Sequence, residues 1–147
     1  MKLIESDKLD PGWISKFLYI KKTKFGRGIF CSKKIVEGQI IEICPVIPLS
    51  LKHGRIVQTT FLENYVFQWP TEKQIKTKVE PEKWATCCVT LGYGSLYNHS
   101  RTPNSEWTIN YKKLQMIFYA LETIKADTEI KHNYEWPDWK DEEVGIK

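Results

Sequence analysis

The chain has 147 residues, a length that suits one domain and leaves little room for two. Hydrophobic residues make up 41% and charged residues 27%, a balance that excludes a disordered tail, a collagen-like fibre and a disulfide-dense miniprotein. Lysine and arginine (22) outnumber aspartate and glutamate (18), and the net charge of +4 is too small to indicate a dedicated nucleic-acid-binding protein.

Short strands are predicted for the first third of the chain. The stretch Trp13 to Lys22 ends in alternating apolar and basic residues, and Phe25 to Phe30 follows it. A turn at Val36-Glu-Gly38 precedes the β-rich run Gln39 to Cys44.

The next segment contains Pro45 and Pro48, and we expect these prolines to end the strand because proline has no amide hydrogen to donate within a central sheet. Ser50 is a candidate N-cap for a short helix that continues to about Phe61. Asn64 to Trp69 is rich in β-branched and aromatic residues, which predicts another strand.

The second half of the chain continues this pattern. Thr71 to Lys83 is charged and contains a proline, which predicts an exposed loop or hairpin, and Trp84 to Tyr97 is apolar and β-like with glycine interruptions. Glu106 to Tyr111 and Leu114 to Glu122 flank two lysines and predict a hairpin. Many short strands with little helix predict a mainly β domain.

The spacing of the cysteines and the hydropathy of the chain indicate in which cellular compartment the protein is expected. The four cysteines lack C-x-x-C spacing, which favours small buried side chains in a reducing compartment over a metal site or a disulfide. The N-terminus turns acidic after two apolar residues, so no signal peptide is predicted. The apolar run Met116 to Leu121 is too short to cross a bilayer. We expect a soluble, intracellular protein without membrane association.

Three segments are candidates for chemistry. In Gly26-Arg27-Gly28 two glycines permit positive φ or close approach of a ligand, although alone they are more typical of a β-turn, and a dinucleotide-binding loop would need a third glycine. Within Gly92 to Asn104, Asn98 can link two backbone segments, and His99 is more typical of a structural histidine than of a base or metal ligand. The third segment, Ile124 to Tyr134, is a turn followed by a strand that ends in tyrosine.

Together these segments resemble the motifs of the SET domain, the catalytic domain of S-adenosylmethionine-dependent protein lysine methyltransferases. The matching motifs are Phe25-Gly-Arg-Gly-Ile-Phe30, an N-H-S-x-x-P-N core that begins at Asn98, and Glu129-Ile-Lys-His-Asn-Tyr134. The resemblance covers about Tyr19 to Trp139, so residues 1–147 are interpreted as a single SET domain. The chain is most similar to the compact viral and bacterial members of the family, which lack the pre-SET and post-SET zinc modules.

The resemblance implies a fold of small curved β-sheets with little helix, in which the C-terminal segment threads beneath a loop to form a pseudoknot. By the same resemblance S-adenosylmethionine is the cofactor, held largely through backbone contacts and with an aromatic side chain on its adenine. The residues expected to bind it are Gly26, Arg27, Gly28, Asn98, His99 and Trp139, with Trp136 as a second candidate for the aromatic position.

The resemblance also assigns the residues that handle the substrate. Tyr134 matches the catalytic tyrosine, whose hydroxyl orients the amine and the methyl group, and Tyr65 and His132 match positions of the substrate channel. His132 stands where the family commonly has phenylalanine or tyrosine, and this leaves the degree of methylation open. Arg101 stands where members with a zinc-bound tail have a cysteine, and no cysteine follows it, so no metal is expected.

The predicted function is a protein-lysine N-methyltransferase, acting on the histone H3 tail or another protein that offers a lysine. Two alternatives stay open. One is a SET-like module that has lost catalysis and binds cofactor or peptide; the other is a small β domain that binds nucleic acid through lysine and aromatic faces. The charge balance disfavours the second, so no direct nucleic-acid contact is expected. A homodimer is left open, as is a cytoplasmic or nuclear location.

Overall fold

The computed structural model describes residues 12–69, 87–135 and 138–143. The strands in these ranges are β1 (Trp13–Ile14), β2 (Leu18–Thr23), β3 (Gly26–Cys31), β4 (Ile40–Pro48), β5 (Val66–Gln68), β6 (Cys87–Thr90), β7 (Asn98–His99), β8 (Ser105–Asn110), β9 (Gln115–Ala120) and β10 (Glu129–His132). The α-helices are α1 (Leu51–Gln58) and α2 (Trp139–Glu143), and 3-10 helices cover Phe61–Tyr65 and Gly94–Leu96. This content confirms the predicted mainly β class.

The strands form two sheets. The larger has the order β5-β6-β4-β9-β8, with β1 also paired to β4, and the smaller has the order β2-β3-β10-β7. The β8–β9 pair is an antiparallel hairpin, as the sequence predicts. The predicted loop Thr71 to Lys83, the start of the apolar stretch at Trp84, and Trp136 lie outside the described residues.

The expectation that the strand stops before both prolines is wrong, because β4 continues through Pro45 and ends at Pro48. Its pairing partner changes at Pro45: the residues up to Pro45 pair with β9, and those from Val46 onward pair with β6. The carbonyl of Pro45 still accepts a hydrogen bond from the N–H of Leu91 at 2.9 Å. Pro45 is tolerated because it lies where the partner of β4 changes from β9 to β6, and no amide hydrogen is required at this position.

The predicted helix begins where expected, since the Ser50 hydroxyl accepts an N–H from its first turn at 3.2 Å. It ends three residues before Phe61, however, because Thr60 caps a separate 3-10 helix by accepting the N–H of Leu62 at 3.2 Å. That helix includes the first part of the predicted strand, which therefore begins at Val66 instead of Asn64.

The main core draws side chains from both sheets. Its fully buried members include Ile29, Ile41, Tyr97, Met116, Phe118 and Ile130. All four cysteines are buried and reduced, in agreement with the sequence. Burial raises the pKa of each thiol, so these side chains stay protonated and pack as small apolar groups.

The smaller sheet brings distant parts of the chain together. Strand β10 lies between β3 and β7; it is antiparallel to β3, where Glu129 faces Phe30, and parallel to β7, where Lys131 faces Asn98. The last two residues of β10 therefore lie directly beside Asn98 and His99. The threading of the predicted pseudoknot stays a prediction, but this pairing supplies the segments that it requires.

Candidate functional site

Tyr134 lies just after β10 and is held by both its side chain and its backbone. Its hydroxyl donates a hydrogen bond to the carbonyl oxygen of Tyr97 at 2.6 Å, and its backbone N–H donates to Nδ1 of His99 at 3.0 Å. Burial raises the pKa of Tyr134 to about 12, with smaller contributions from Tyr65 and Glu129. The hydroxyl is therefore neutral at physiological pH and acts as a hydrogen-bonding group.

Asn98 joins three strands through its amide. Its Nδ2 donates to the carbonyl of Arg27 at 3.2 Å and to Oε1 of Glu129 at 2.7 Å. A Cβ added at Gly28 would lie 2.5 Å from that Glu129 oxygen and 3.1 Å from Asn98 Nδ2. Gly28 is thus needed for the approach of the chain's own side chains, while Gly26, with φ +99°, makes the preceding turn in open space.

His99 is a buried ring with a contact on each nitrogen. Only 6% of the residue is exposed, and its Nδ1 accepts the N–H of Tyr134, so the proton of the neutral ring lies on Nε2. Nε2 is 3.3 Å from a carboxylate oxygen of Asp141. Burial lowers the pKa of His99, and Asp141 partly opposes this effect. The ring therefore connects the C-terminal helix α2 to the backbone of Tyr134.

Helix α2 is tied to the loop after β7 by an ion pair. Arg101 donates from Nε and from a terminal nitrogen to the two oxygens of Asp141, at 2.6 and 3.2 Å. A further contact of 3.3 Å joins Arg101 to Asp138, whose side chain is 98% exposed. The same helix begins with Trp139, which is 63% exposed. An exposed indole on a docked helix is available to a ligand at this edge of the molecule.

His132 is buried in a group of aromatic rings. Its ring stacks on Phe67 at 5.6 Å, meets Phe118 edge-on at 5.7 Å, and lies 4.8 Å from the ring of Tyr134. Only 1% of the residue is exposed, and burial lowers its pKa to about 4. Its Nδ1 is 3.3 Å from the Asn133 carbonyl, and among the described residues Nε2 has no hydrogen-bond partner. His132 is thus a buried, neutral ring that packs against the ring of Tyr134.

Tyr65 closes the 3-10 helix before β5 and is 39% exposed. Its ring packs on Phe61 at 5.7 Å, and its carbonyl accepts a hydrogen bond from the Ser95 hydroxyl at 2.7 Å. Tyr65 is close enough to affect the pKa of Tyr134. Tyr65 and Tyr134 are both partly exposed, and the ring of Tyr134 borders the buried ring of His132.

The residues expected to bind the cofactor lie on β3, β7 and helix α2: the Asn98 amide reaches the Arg27 carbonyl, and His99 contacts Asp141 on α2. In the described part of the chain β7 pairs with a strand on one side only, so its other edge faces no strand. Arg27 is exposed, and Trp139 offers an aromatic surface nearby on α2. A strand edge and an exposed indole fit a ligand that has polar groups and a flat purine ring.

Three contributing residues were not found from the sequence. Tyr97 supplies a backbone carbonyl, Asp141 contacts His99, and Glu42 is a buried acid within an apolar strand. Only Glu42 has a local indication, namely a carboxylate inside the run of isoleucines from Ile40 to Ile43. The other two act through contacts that no local pattern predicts.

Two other features are absent from the described residues. No helix there is long and apolar enough to span a membrane. In the same residues no group of three or more histidines, cysteines, aspartates or glutamates is arranged to hold a metal ion.

Comparison with known proteins gives one consistent match. The family model described as the SET domain matches residues 26–135. The sequence is 31% identical over 123 residues to a histone-lysine N-methyltransferase of Schizosaccharomyces pombe described as H3 lysine-37 specific; the match covers 81% of this chain and 73% of that protein.

Solved structures agree. A Plasmodium falciparum protein provisionally described as a histone methyltransferase is 31% identical with a TM-score of 0.60, and the match covers 86% of this chain and 99% of that one. SUVH6 of Arabidopsis thaliana, in complex with SAM, has a TM-score of 0.64 at 20% identity, over 84% of this chain and 28% of that one. The second likeness shows the fold alone.

Proposed function

The chain belongs to the SET-domain family, and from this premise we propose that it is an S-adenosylmethionine-dependent protein-lysine N-methyltransferase. The observation that carries the proposal is the neutral Tyr134 hydroxyl, fixed 2.6 Å from the carbonyl of Tyr97 and beside Tyr65 and the buried ring of His132.

We propose that Gly26, Arg27, Asn98, His99 and Trp139 form the cofactor site, with Gly28 allowing Asn98 and Glu129 to meet beneath it. The strand edge of β7 and the exposed indole support this assignment. When bound, S-adenosylmethionine supplies a methyl group on a sulfonium, which a nucleophile can accept. His99 serves this site as a scaffold, because its Nδ1 is occupied by the Tyr134 N–H.

The chain's residues must then provide a neutral amine in line with that methyl group. A free lysine has a pKa of about 10.4, so at pH 7 only on the order of one in 2,000 is neutral. Aromatic walls from Tyr65, Phe67 and Tyr134 exclude water and lower the pKa of a bound lysine. The hydroxyl oxygen of Tyr134 and the carbonyl oxygen of Tyr97 can each accept a hydrogen bond from the amine and so orient it for displacement.

Histone H3 is the first substrate to test, because the S. pombe relative is described as acting on lysine 37 of H3. We propose a cytoplasmic location, or a nuclear one if the substrate is chromatin. We also propose that residues 1–147 act as one SET domain. Whether the chain forms a homodimer stays open.

The test measures labelled methyl transfer from S-adenosylmethionine to histone H3, an H3 peptide centred on lysine 37, and the other core histones. We expect Tyr134→Phe to lower transfer by about 100-fold or more, the size typical of losing one oriented catalytic hydrogen bond. Tyr119→Phe is the matched control, since its hydroxyl bonds Glu106 on the other sheet. Cofactor binding without transfer to any of these substrates or to proteins of a cell lysate added as a further substrate would favour the inactive module. Transfer unchanged by Tyr134→Phe would remove the assigned role.

A further inference from the structure

Glu42 is a carboxyl group in the middle of the central strand β4, and only 1% of it is exposed. Its Oε2 accepts a hydrogen bond from the Tyr97 hydroxyl at 2.6 Å, and its Oε1 accepts one from the backbone N–H of Tyr93 at 2.8 Å. A buried carboxyl is costly unless it is hydrogen-bonded in this way. Both partners lie in one segment, residues 92–99, which we call the anchor loop.

The anchor loop is shaped around this carboxyl group. It begins at Gly92, where φ is +70° and where an added Cβ would overlap Oε1 of Glu42. The ring of Tyr97 is fully buried and packs on Phe118 at 4.7 Å. Because that ring is fixed at both its face and its hydroxyl, the backbone of Tyr97 has little freedom to shift.

The proposed site converges on the anchor loop. The carbonyl of Tyr97 accepts the Tyr134 hydroxyl at 2.6 Å, and the Ser95 hydroxyl holds the carbonyl of Tyr65 at 2.7 Å. The loop ends with Asn98 and His99 in β7. One buried carboxyl therefore supports the segment that contacts both tyrosines of the site.

We infer that Glu42 is a positioning residue for the Tyr134 hydroxyl, acting through Tyr97; the inference rests on the proposed function of Tyr134. Glu42 does not touch the reacting groups. It ties the Tyr97 side chain to the central strand, and the Tyr97 backbone in turn sets where the Tyr134 hydroxyl lies. A displacement of about 1 Å in such a group can cost on the order of 100-fold in rate.

The first experiment compares Tyr97→Phe and Glu42→Gln with the wild-type chain in methyl transfer to H3. Tyr97→Phe keeps the carbonyl and the Tyr93 contact but loses the bond to the carboxyl group, and we expect kcat to fall about 10-fold or more with KM for the peptide little changed. Glu42→Gln can still accept from the Tyr93 N–H and donate to the Tyr97 oxygen, so we expect it to retain most of kcat.

A structural role alone would lower stability without changing kcat per folded molecule. Ile117→Val is the control for this, because Ile117 belongs to a small separate core cluster with Ile40 and Ile43. Rates are measured well below each thermal midpoint and divided by the concentration of folded protein. If Tyr97→Phe loses no more kcat than Ile117→Val, the inference is overturned.

The second experiment repeats Tyr97→Phe in a Tyr134→Phe background under single-turnover conditions. If Tyr97 acts mainly through the Tyr134 hydroxyl, its effect on the rate becomes much smaller once that hydroxyl is gone. An effect of undiminished size in the double variant would overturn the inference, because the carboxyl group would then act elsewhere.

A readout independent of activity separates this inference from the proposed function. Tyrosine labelled with carbon-13 at Cζ reports the hydroxyl environment, and the Tyr134 resonance is identified by its loss in Tyr134→Phe. We expect it to shift in Tyr97→Phe but not in Ile117→Val. If the wild-type chain transfers no methyl but the resonance shifts, the positioning role stands and the proposed function fails. A resonance that stays in place rejects the positioning role.

Discussion

Nδ1 of His99 accepts the backbone N–H of Tyr134 at 3.0 Å, so a buried ring on β7 fixes the chain at the residue that follows β10 by two positions. The other nitrogen of the ring faces Asp141 on α2 at 3.3 Å. His99 thus joins three segments that are far apart in sequence, and its neutral form is the one that can accept from Tyr134 while its second nitrogen carries the proton.

Replacing His99 with alanine removes the acceptor and leaves the Tyr134 N–H in a partly buried position. We expect a loss of about 1–3 kcal/mol in the free energy of unfolding, the usual cost of an unsatisfied buried donor. His53→Ala is the matched control because His53 is exposed on α1. Urea unfolding measures both variants, and equal midpoints for the two would contradict this role of His99.

The buried ring of His132 makes stability depend on pH. Its pKa is lowered to about 4 from the ordinary value of 6.5, so between these values the unfolded chain binds the proton more readily than the folded chain. This contribution is fully present above pH 6.5 and is lost as pH falls towards 4, by about 3 kcal/mol.

His132→Phe provides the comparison, because phenylalanine fills the ring cluster and cannot be protonated. Denaturant unfolding is followed at several pH values between 7 and 4, and we expect the curve of the variant to be flatter than that of the wild-type chain. Parallel curves would mean that the ring is not buried in its neutral form.

The ion pair between Arg101 and Asp141 holds the helix that begins with Trp139. We expect Asp141→Asn to weaken S-adenosylmethionine binding by about two- to five-fold, the range given by partly exposed ion pairs. Asp138→Asn is the control, since that carboxylate is 98% exposed. Titration calorimetry measures both, and an equal affinity in the two variants would show that α2 does not support the cofactor.

A side chain would lower the stability of the fold more at Gly28 than at Gly26. We expect Gly28→Ala to destabilise the fold by about 1–3 kcal/mol and also to weaken cofactor binding, because its Cβ would displace the Asn98–Glu129 contact. Gly26→Ala meets no atom within 4 Å and pays only for its positive φ, about 1 kcal/mol. Thermal unfolding and calorimetry measure both effects; unchanged affinity in Gly28→Ala would separate this glycine from the site.

Much of the fold follows from local patterns. The β8–β9 hairpin, the Ser50 cap and the mainly β class are set by alternation and by side chains that bond their own neighbours, so short-range sequence predicts them. The path of β4 through Pro45 was not predictable, because it depends on which strand pairs on either side of the proline. That choice is a long-range property.

The same division holds for the site. The sequence by itself indicated the family, through motifs that contain Tyr134, Asn98 and His99. Only the tertiary structure shows that the His99 ring holds the Tyr134 backbone and contacts Asp141, that His132 is buried, and that Glu42 holds the Tyr97 hydroxyl. The physical reason is that a motif specifies which groups are available, whereas burial and hydrogen-bond partners, which set pKa values and positions, arise only when remote segments pack together.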